Sequence, residues 1–404
     1  MHPRDLASLA DETTIFGGSA AEKLERLRAE LEPLSRRYDA VVANPPYMGS
    51  SSLGKWMGSW VKKHYPEAYR DLCTSFIDRG FGMSADDGCS AMVTMQSWMF
   101  LGSFEKLRGK ILRKHSISSM AHLGTRAFGA IGGEVVSTTA TVFSNAKTEV
   151  KGSYFRLVDM GSEEEKQAGL LEALADPGCG WFYRADADGF GAIPGSPIAY
   201  WLPEGSRSAF SGRKCADIFK SAGRTKTHDN DTYLRKWWEI SSQRLGTKWR
   251  RYCNGGGFSK WTGLDLDVVN WSDSAVANYE SHGGLPNMDL YEKQGLCWGL
   301  ITSSKTSFRI KPSNHLYSSG SPTLVTQNTK ETINAMAFLN SSTSEAYLEA
   351  LNPTLNTTVN DVLALPCPEV DEIVLEIANQ CIAMVKSDWD SFEASSGYHR
   401  HPLL

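Results

Sequence analysis

At 404 residues the chain is long enough for two or three domains, and its 41% hydrophobic, 22% charged composition is that of a soluble globular protein. A formal net charge of −4 excludes a surface that is basic all over, so a nucleic-acid partner has to be met by a local patch. The eight scattered cysteines form no C-x-x-C, the start MHPRDLASLADE has no apolar leader, and no window approaches 18 uncharged apolar residues; this argues against a zinc ribbon, a disulfide framework, export or a membrane span, and for reduced thiols in the cytoplasm.

In chain order, AAEKLERLRAELEPLSRR (20–37) carries leucines at 24, 27, 31 and 34 and predicts a polar helix. It feeds a short strand, Tyr38 to Ala43, with Val41 and Val42 at its buried centre. Pro45 and Pro46 lack the backbone donor that a central ladder needs, so the strand stops at Asn44. An amide, stiffened carbonyls and the Tyr47 ring are left at its C-terminal edge, which is where open α/β sheets bind ligands. A second helix is predicted over 68–83, with Leu72, Phe76 and Ile77 on one face. GCSAMVTMQSW (88–98) reads as a buried strand, and 104–114 as an amphipathic helix with Leu107, Ile111 and Leu112 apolar. Strands follow over 117–124 and, strongly β-branched, over 132–145. This succession is the second half of a doubly wound sheet, because too few residues precede Tyr38 for the strands with which such a sheet begins.

Beyond about residue 150 the pattern changes. Residues 161–176 form a short acidic helix, and 230–330 are rich in Trp, Gly, Ser and Asn without a sustained period. Two stretches there are almost free of acids: Arg235 to Lys260, where the basic residues include Arg244, Lys248, Arg250 and Arg251, and Ile301 to Lys330, where they include Lys305, Arg309 and Lys311. Trp237, Trp238, Trp249, Tyr252 and Trp261 interleave with the first of these, a combination suited to DNA contact, although charge runs also serve as plain solvated faces. Lone histidines at 64, 115, 122 and 315 have no partner pattern and read as neutral structural residues; no metal site is expected.

NPPYMG after a strand, then YRDLCTSFIDRG, GCSAMVTMQSWMFLGSFEKLR and HLGTRAFGAIGGEVVSTTATVF in that order, resembles the methyltransferases that act on adenine N6 in DNA. The nearest resemblance is to the PglX-type enzymes of bacteriophage-exclusion (BREX) systems, with TaqI-like and restriction–modification enzymes as wider relatives. The resemblance implies a fold: the second half of a Rossmann-like class I methyltransferase sheet, followed by an irregular α/β target-recognition domain. It also implies three segments: a helical lead-in over 1–37, a partial catalytic domain over 38–150 and a DNA-binding, target-recognition domain over 151–404.

The implied catalytic residues are Asn44, Pro45, Pro46 and Tyr47. Tyr47, Phe128 and Asp71 would contact a flipped base, although Phe128 also suits a core position and Asp71 a helix cap. Trp98 matches an aromatic at the exit of the next strand and reads more readily as packing. The implied methyl donor is S-adenosylmethionine, yet the family's Gly-x-Gly turn upstream of the catalytic strand is absent from the sequence. The implied partners are double-stranded DNA, a separate chain carrying the missing cofactor-binding half, and other phage-defence subunits. The alternatives are one half of a split enzyme, or a non-catalytic DNA-binding fragment.

Overall fold

The computed structural model describes residues 18–128, 136–221, 223, 225–285, 287–302 and 305–401. The chain divides into two compact units after Pro203.

The first unit is built on a six-stranded mixed sheet of β1 (Tyr38–Ala43), β2 (Ser84–Met95), β3 (Ser116–Gly124), β4 (Thr138–Ser144), β5 (Gly152–Arg156) and β6 (Phe182–Ala185), in the order β1-β2-β4-β3-β5-β6. β1 runs parallel to β2, and β4 runs antiparallel to both β2 and β3. The C-terminal ends of β1, β2 and β3 therefore share one edge of the sheet. The predicted first helix is α1 (Gly18–Ser35); residues 1–17 of the lead-in and 132–135 of the predicted fourth strand lie outside the described residues.

One face of this sheet is covered by helices, and the other is open along β1, β2 and β4. α2 (Lys55–His64) precedes the covering helices α3 (Leu72–Met83) and α4 (Glu105–Lys114). Ile77, Phe81, Leu107 and Ile111 from α3 and α4 pack on Met92, Met120 and Phe143 of the strands. α3 comes this close because residue 80 is glycine: a Cβ there would fall 2.5 Å from Ser90 Oγ. On the opposite face, Ala91, Val93, Ala140 and Val142 are only half-buried and line a shallow apolar depression with Val42. Val42 is 78% exposed, which corrects the expectation of a strand buried on both faces. β1 is the outermost strand of its sheet, and burial in a strand depends on the neighbours it has, not on its β-branched residues.

The sheet also runs past residue 150, where the sequence reading drew a boundary. β5 pairs with β3 and β6 with β5, and α5 (Glu163–Ala175), capped by the Ser162 side chain, packs Ala173 and Leu170 with Phe155 and Leu157.

The second unit contains two small sheets. One orders β13 (His315–Tyr317), β9 (Trp249–Cys253), β10 (Asp267–Asn270) and β8 (Leu234–Lys236); the other orders β12 (Arg309–Lys311), β11 (Gly295–Cys297), β14 (Thr323–Val325) and β7 (Lys220–Ser221). An aromatic cluster of Tyr252, Tyr279, Tyr291 and Tyr317 with Val269 and Leu316 forms a core. The helices α6 (Thr329–Leu339), α7 (Ser342–Leu351) and α8 (Glu372–Trp389) follow, each opened by a side-chain cap, from Asn328, Ser341 and Asp371 respectively. Among the described residues no helix is long and apolar enough to cross a membrane, and all eight cysteines are free thiols.

Candidate active site at the end of the first strand

β1 ends at Ala43, and the next four residues turn along the edge where β2 and β3 also end. Asn44 is exposed, Pro45 buried and Tyr47 half-buried. The Tyr47 hydroxyl donates to Asn44 Oδ1 at 3.3 Å, which leaves that oxygen's second lone pair available. Burial pushes the Tyr47 phenol pKa upward, and the nearby Cys73 adds to the shift, so the ring stays neutral at physiological pH.

Asp71 fixes the far end of this turn. Its Oδ1 accepts from Cys73 N at 2.9 Å, the N-cap bond of α3, and from Met48 N at 3.3 Å. Leu72 N donates to Met48 O and Ser50 N to Arg70 O, so the backbones of 48–50 and 70–72 are tied together. The carboxylate is thus shared between the helix start and the residue following Tyr47. Burial is also the main reason that the Cys73 thiol is pushed well above its ordinary pKa, with the Asp71 carboxylate adding to the effect; it is a packed, protonated thiol. Asp71→Ala should remove a cap worth about 1 kcal/mol and free Met48 as well. We expect a lowered urea midpoint together with faster hydrogen exchange at Met48 and Cys73; unchanged exchange at Met48 would show that the carboxylate does not hold the turn.

Hydrogen bonds therefore bring Asn44, Tyr47 and Asp71 together. Phe128, half-buried, lies on the segment that leaves β3 and shares only the sheet edge with them. Trp98 is completely buried, its indole donating to Thr94 Oγ1 at 3.0 Å, and it belongs to the core. The sequence reading missed a polar relay just inside this edge. His122 Nε2 bonds Gln96 Oε1 at 2.8 Å and its Nδ1 meets the Tyr200 hydroxyl at 2.9 Å. An amide oxygen only accepts, so Nε2 carries the proton and Tyr200 donates to Nδ1. Burial, reinforced by Arg156 and Lys166, lowers the His122 pKa to about 3, so the ring is neutral. Its partner Gln96 leaves β2 only two residues before Trp98, but no spacing rule links it to His122.

The basic residues of the second unit separate into two groups. Arg244 and Lys248 are exposed and have no acidic partner among the described residues. Arg250 pairs with Glu292, Lys305 with Glu345, and Arg251 lies 5.8 Å from the Trp237 ring centre. Arg309 and Lys311 are only 4% and 0% exposed, which withdraws them from any DNA-contacting surface. Lys311 donates to the carbonyls of Tyr291 and Lys293, and burial lowers its pKa to about 8.

Residues 13–128 match the family model described as the Eco57I restriction-modification methylase. Two solved structures share the fold at 11% identity. One is the Type IIL restriction-modification enzyme MmeI in complex with DNA (TM-score 0.56, covering 89% of this chain and 50% of that one). The other is a nuclease-deletion mutant of the Type ISP restriction-modification enzyme LlaGI in complex with a DNA substrate mimic (TM-score 0.52, 93% and 44%).

More narrowly, the chain is similar to the adenine-specific methyltransferases PglX and BrxX. It is 34% identical to PglX of Lacticaseibacillus casei (strain Zhang) over 92% of this chain, and 34% identical to BrxX of Escherichia coli O9:H4 (strain HS) over 99%. It spans about a third of the length of either relative, 33% in both cases.

Proposed function

We propose that this chain supplies the adenine-gripping edge and the target-recognition surface of a site-specific DNA adenine-N6 methyltransferase of phage-defence type. The observation that carries this reading is Asn44-Pro45-Pro46-Tyr47 at the end of β1, with Asn44 Oδ1 open and the turn pinned by Asp71. Adenine N6 is a poor nucleophile because its lone pair is delocalised into the ring. Acceptors on both of its N–H bonds, Asn44 Oδ1 and the Pro45 carbonyl, draw the nitrogen towards tetrahedral geometry and free that pair. The prolines fix φ, so the carbonyl is preorganised. The base has to leave the duplex, which costs a few kcal/mol, and stacking on Tyr47 and Phe128 offsets this by about 1–3 kcal/mol per base. Asp71 acts in this scheme by positioning the turn.

S-adenosylmethionine is the methyl donor that the family implies. Among the described residues no Gly-x-Gly turn joins a strand to a helix, so the described residues do not make a cradle for it. The reading assigns the donor to a complementary half, in the same polypeptide or a separate one, seated against the outer edge of β1. Among the described residues no strand pairs with the outer edge of β1, and this edge and the exposed Val42 support that assignment, since unpaired edges are ordinarily covered or blunted. Calorimetric titration of the chain with S-adenosylmethionine should show no saturable binding in the micromolar range, and micromolar affinity would overturn the division of labour. The function itself is tested by adding the complementary half and following transfer of labelled methyl groups to duplex DNA; absence of N6-methyladenine would reject it.

Sequence reading falls in this proposal to the second unit, with Arg244 and Lys248 as phosphate contacts that position the protein. Lys248→Gln should weaken binding to all duplexes alike and lower the slope of log affinity against log salt by about one unit. Anisotropy titrations between low and moderate salt measure this. A slope unchanged in both Lys248→Gln and Arg244→Gln would remove these residues from the interface.

A further inference from the structure

Between the two backbone ties of the catalytic turn, Ser50 N to Arg70 O and Leu72 N to Met48 O, the chain makes an excursion that the grip on adenine does not use. α2 occupies its middle, and of the ten residues of that helix Val61 alone is buried. So short a helix draws little stability from its own propensity and depends on packing an apolar face. The large rings of α2 face water instead: Trp56 is 73% and Trp60 41% exposed. They stand one turn apart and so share a face, along which Trp60 stacks on His64 with ring centroids 4.3 Å apart. The exposed Met48 and Met57 add to the apolar surface.

The same excursion is basic. Lys55, Lys62 and Lys63 on α2 and Arg70 at its foot are exposed, and none has an acidic partner among the described residues. Glu67, the acid of this segment, faces Lys110 at 3.8 Å. Lys62 and Arg70 both lie over the Tyr69 ring, 5.5 and 4.9 Å from its centre. The ring's quadrupole attracts each cation, while an anion held between them would offset their mutual repulsion. Lys63, three residues after Trp60 and seven after Trp56, belongs to the aromatic face. Lysine is depleted where proteins meet proteins, whereas rings interleaved with unpaired cations suit a nucleic acid.

We propose that α2 is a DNA-contacting element of the catalytic unit itself, with Lys62, Lys63 and Arg70 on backbone phosphates and Trp56 against a base that has lost its stacking neighbour. This role rests on the proposed flipping of adenine and adds a contact outside the second unit. Bases in an intact duplex hide their faces from a side chain, and flipping uncovers one. Both ends of the excursion are fastened to the turn that carries Tyr47, and Trp56 follows Tyr47 by nine residues, so the indole is tethered to the edge where the base leaves the stack.

The test is fluorescence anisotropy of the full chain with a matched duplex and with a duplex carrying one bulged, unpaired base. Wild type should bind the bulged duplex more tightly, and Trp56→Ala should weaken that complex about tenfold and remove the preference. Lys62→Gln and Lys63→Gln should each weaken both complexes alike and lower the slope of log affinity against log salt by about one unit. All three side chains are exposed, so urea midpoints should match wild type, which separates contact from folding. Lys248→Gln measured in parallel tells this role apart from the wider reading. A loss with Lys248→Gln but with none of the α2 variants overturns the role of α2 and leaves the recognition surface in place; the reverse pattern supports α2 and removes the contact in the second unit. A bulge preference that survives Trp56→Ala, or that wild type lacks, overturns the stacking contact. Variants that keep duplex affinity but lose binding to vesicles of anionic phospholipid, or to the complementary half of the enzyme, would make α2 a lipid or a protein surface instead. Absence of duplex binding by wild type at low salt overturns the role of α2 together with the DNA-binding reading.

Discussion

Asn44→Ala should abolish most methyl transfer in the assembled enzyme while leaving the chain folded. The expected loss is about 10²–10³ in rate, or roughly 3–4 kcal/mol, by analogy with removing one preorganised group from an oxyanion hole. The side chain is exposed and its only described bond is from the Tyr47 hydroxyl, so truncation opens no cavity and the urea midpoint should stay in place. The two readouts together separate chemistry from folding. Tyr47→Ala should cost less, and its deficit should shrink on a substrate whose target adenine is mispaired, because such a base leaves the stack cheaply. Single-turnover rates on matched and mismatched duplexes make the comparison. An Asn44→Ala enzyme with a normal single-turnover rate would rule out the two-acceptor grip.

Much of the first unit could be read from the chain because its elements are locally consistent. β2 alternates between core-facing Ser90, Met92 and Thr94 and half-buried Ala91, Val93 and Met95, a period that survives folding intact. Asn-Pro-Pro marks the end of β1 for a reason internal to the tripeptide. What failed to show depends on partners distant in sequence. Val42 looks like a core residue, and its exposure follows from its place on the open face and from β1 having, among the described residues, a strand neighbour on one side only. Asp71 holds Met48 across 23 positions, which no local signal announces. β5 and β6 join the sheet beyond the apparent boundary because a parallel pairing with β3 needs a spatial neighbour, not a sequential one.

The second unit reverses the usual rule outright. In β12, Arg309 and Lys311 point inward while Ile310 is the less buried residue, so an alternation argument assigns each to the wrong side. The ammonium of Lys311 is accommodated because two carbonyls meet it, and Arg309 because it borders a polar cavity. Strands of three residues offer too few positions for a period to correct such a reading.

Arg108→Ala should be the most destabilising single change in the first unit. The side chain leaves α4 and is completely buried, and burial lowers its pKa to about 10, which keeps it charged at neutral pH. Nη1 donates to the carbonyls of Trp98 and Leu101, both at 2.8 Å, and Nε and Nη2 donate together to Gly195 O at 2.9 and 2.6 Å. One guanidinium thus closes the turn after β2 and fastens it to a loop 87 residues away. Truncation leaves three carbonyls without this donor, at about 1–3 kcal/mol each where water cannot replace it. It also leaves a hole in the core beside Trp98. A loss of roughly 3–5 kcal/mol is expected, a large part of the stability of a typical domain. Arg108→Met should recover the volume but not the bonds, and Arg108→Lys should recover only part of the bonding, since an ammonium cannot reproduce the planar fork. The order of urea midpoints should therefore be wild type, then Lys, then Met, then Ala. A midpoint for Arg108→Met equal to wild type would show that the fork contributes nothing beyond its bulk.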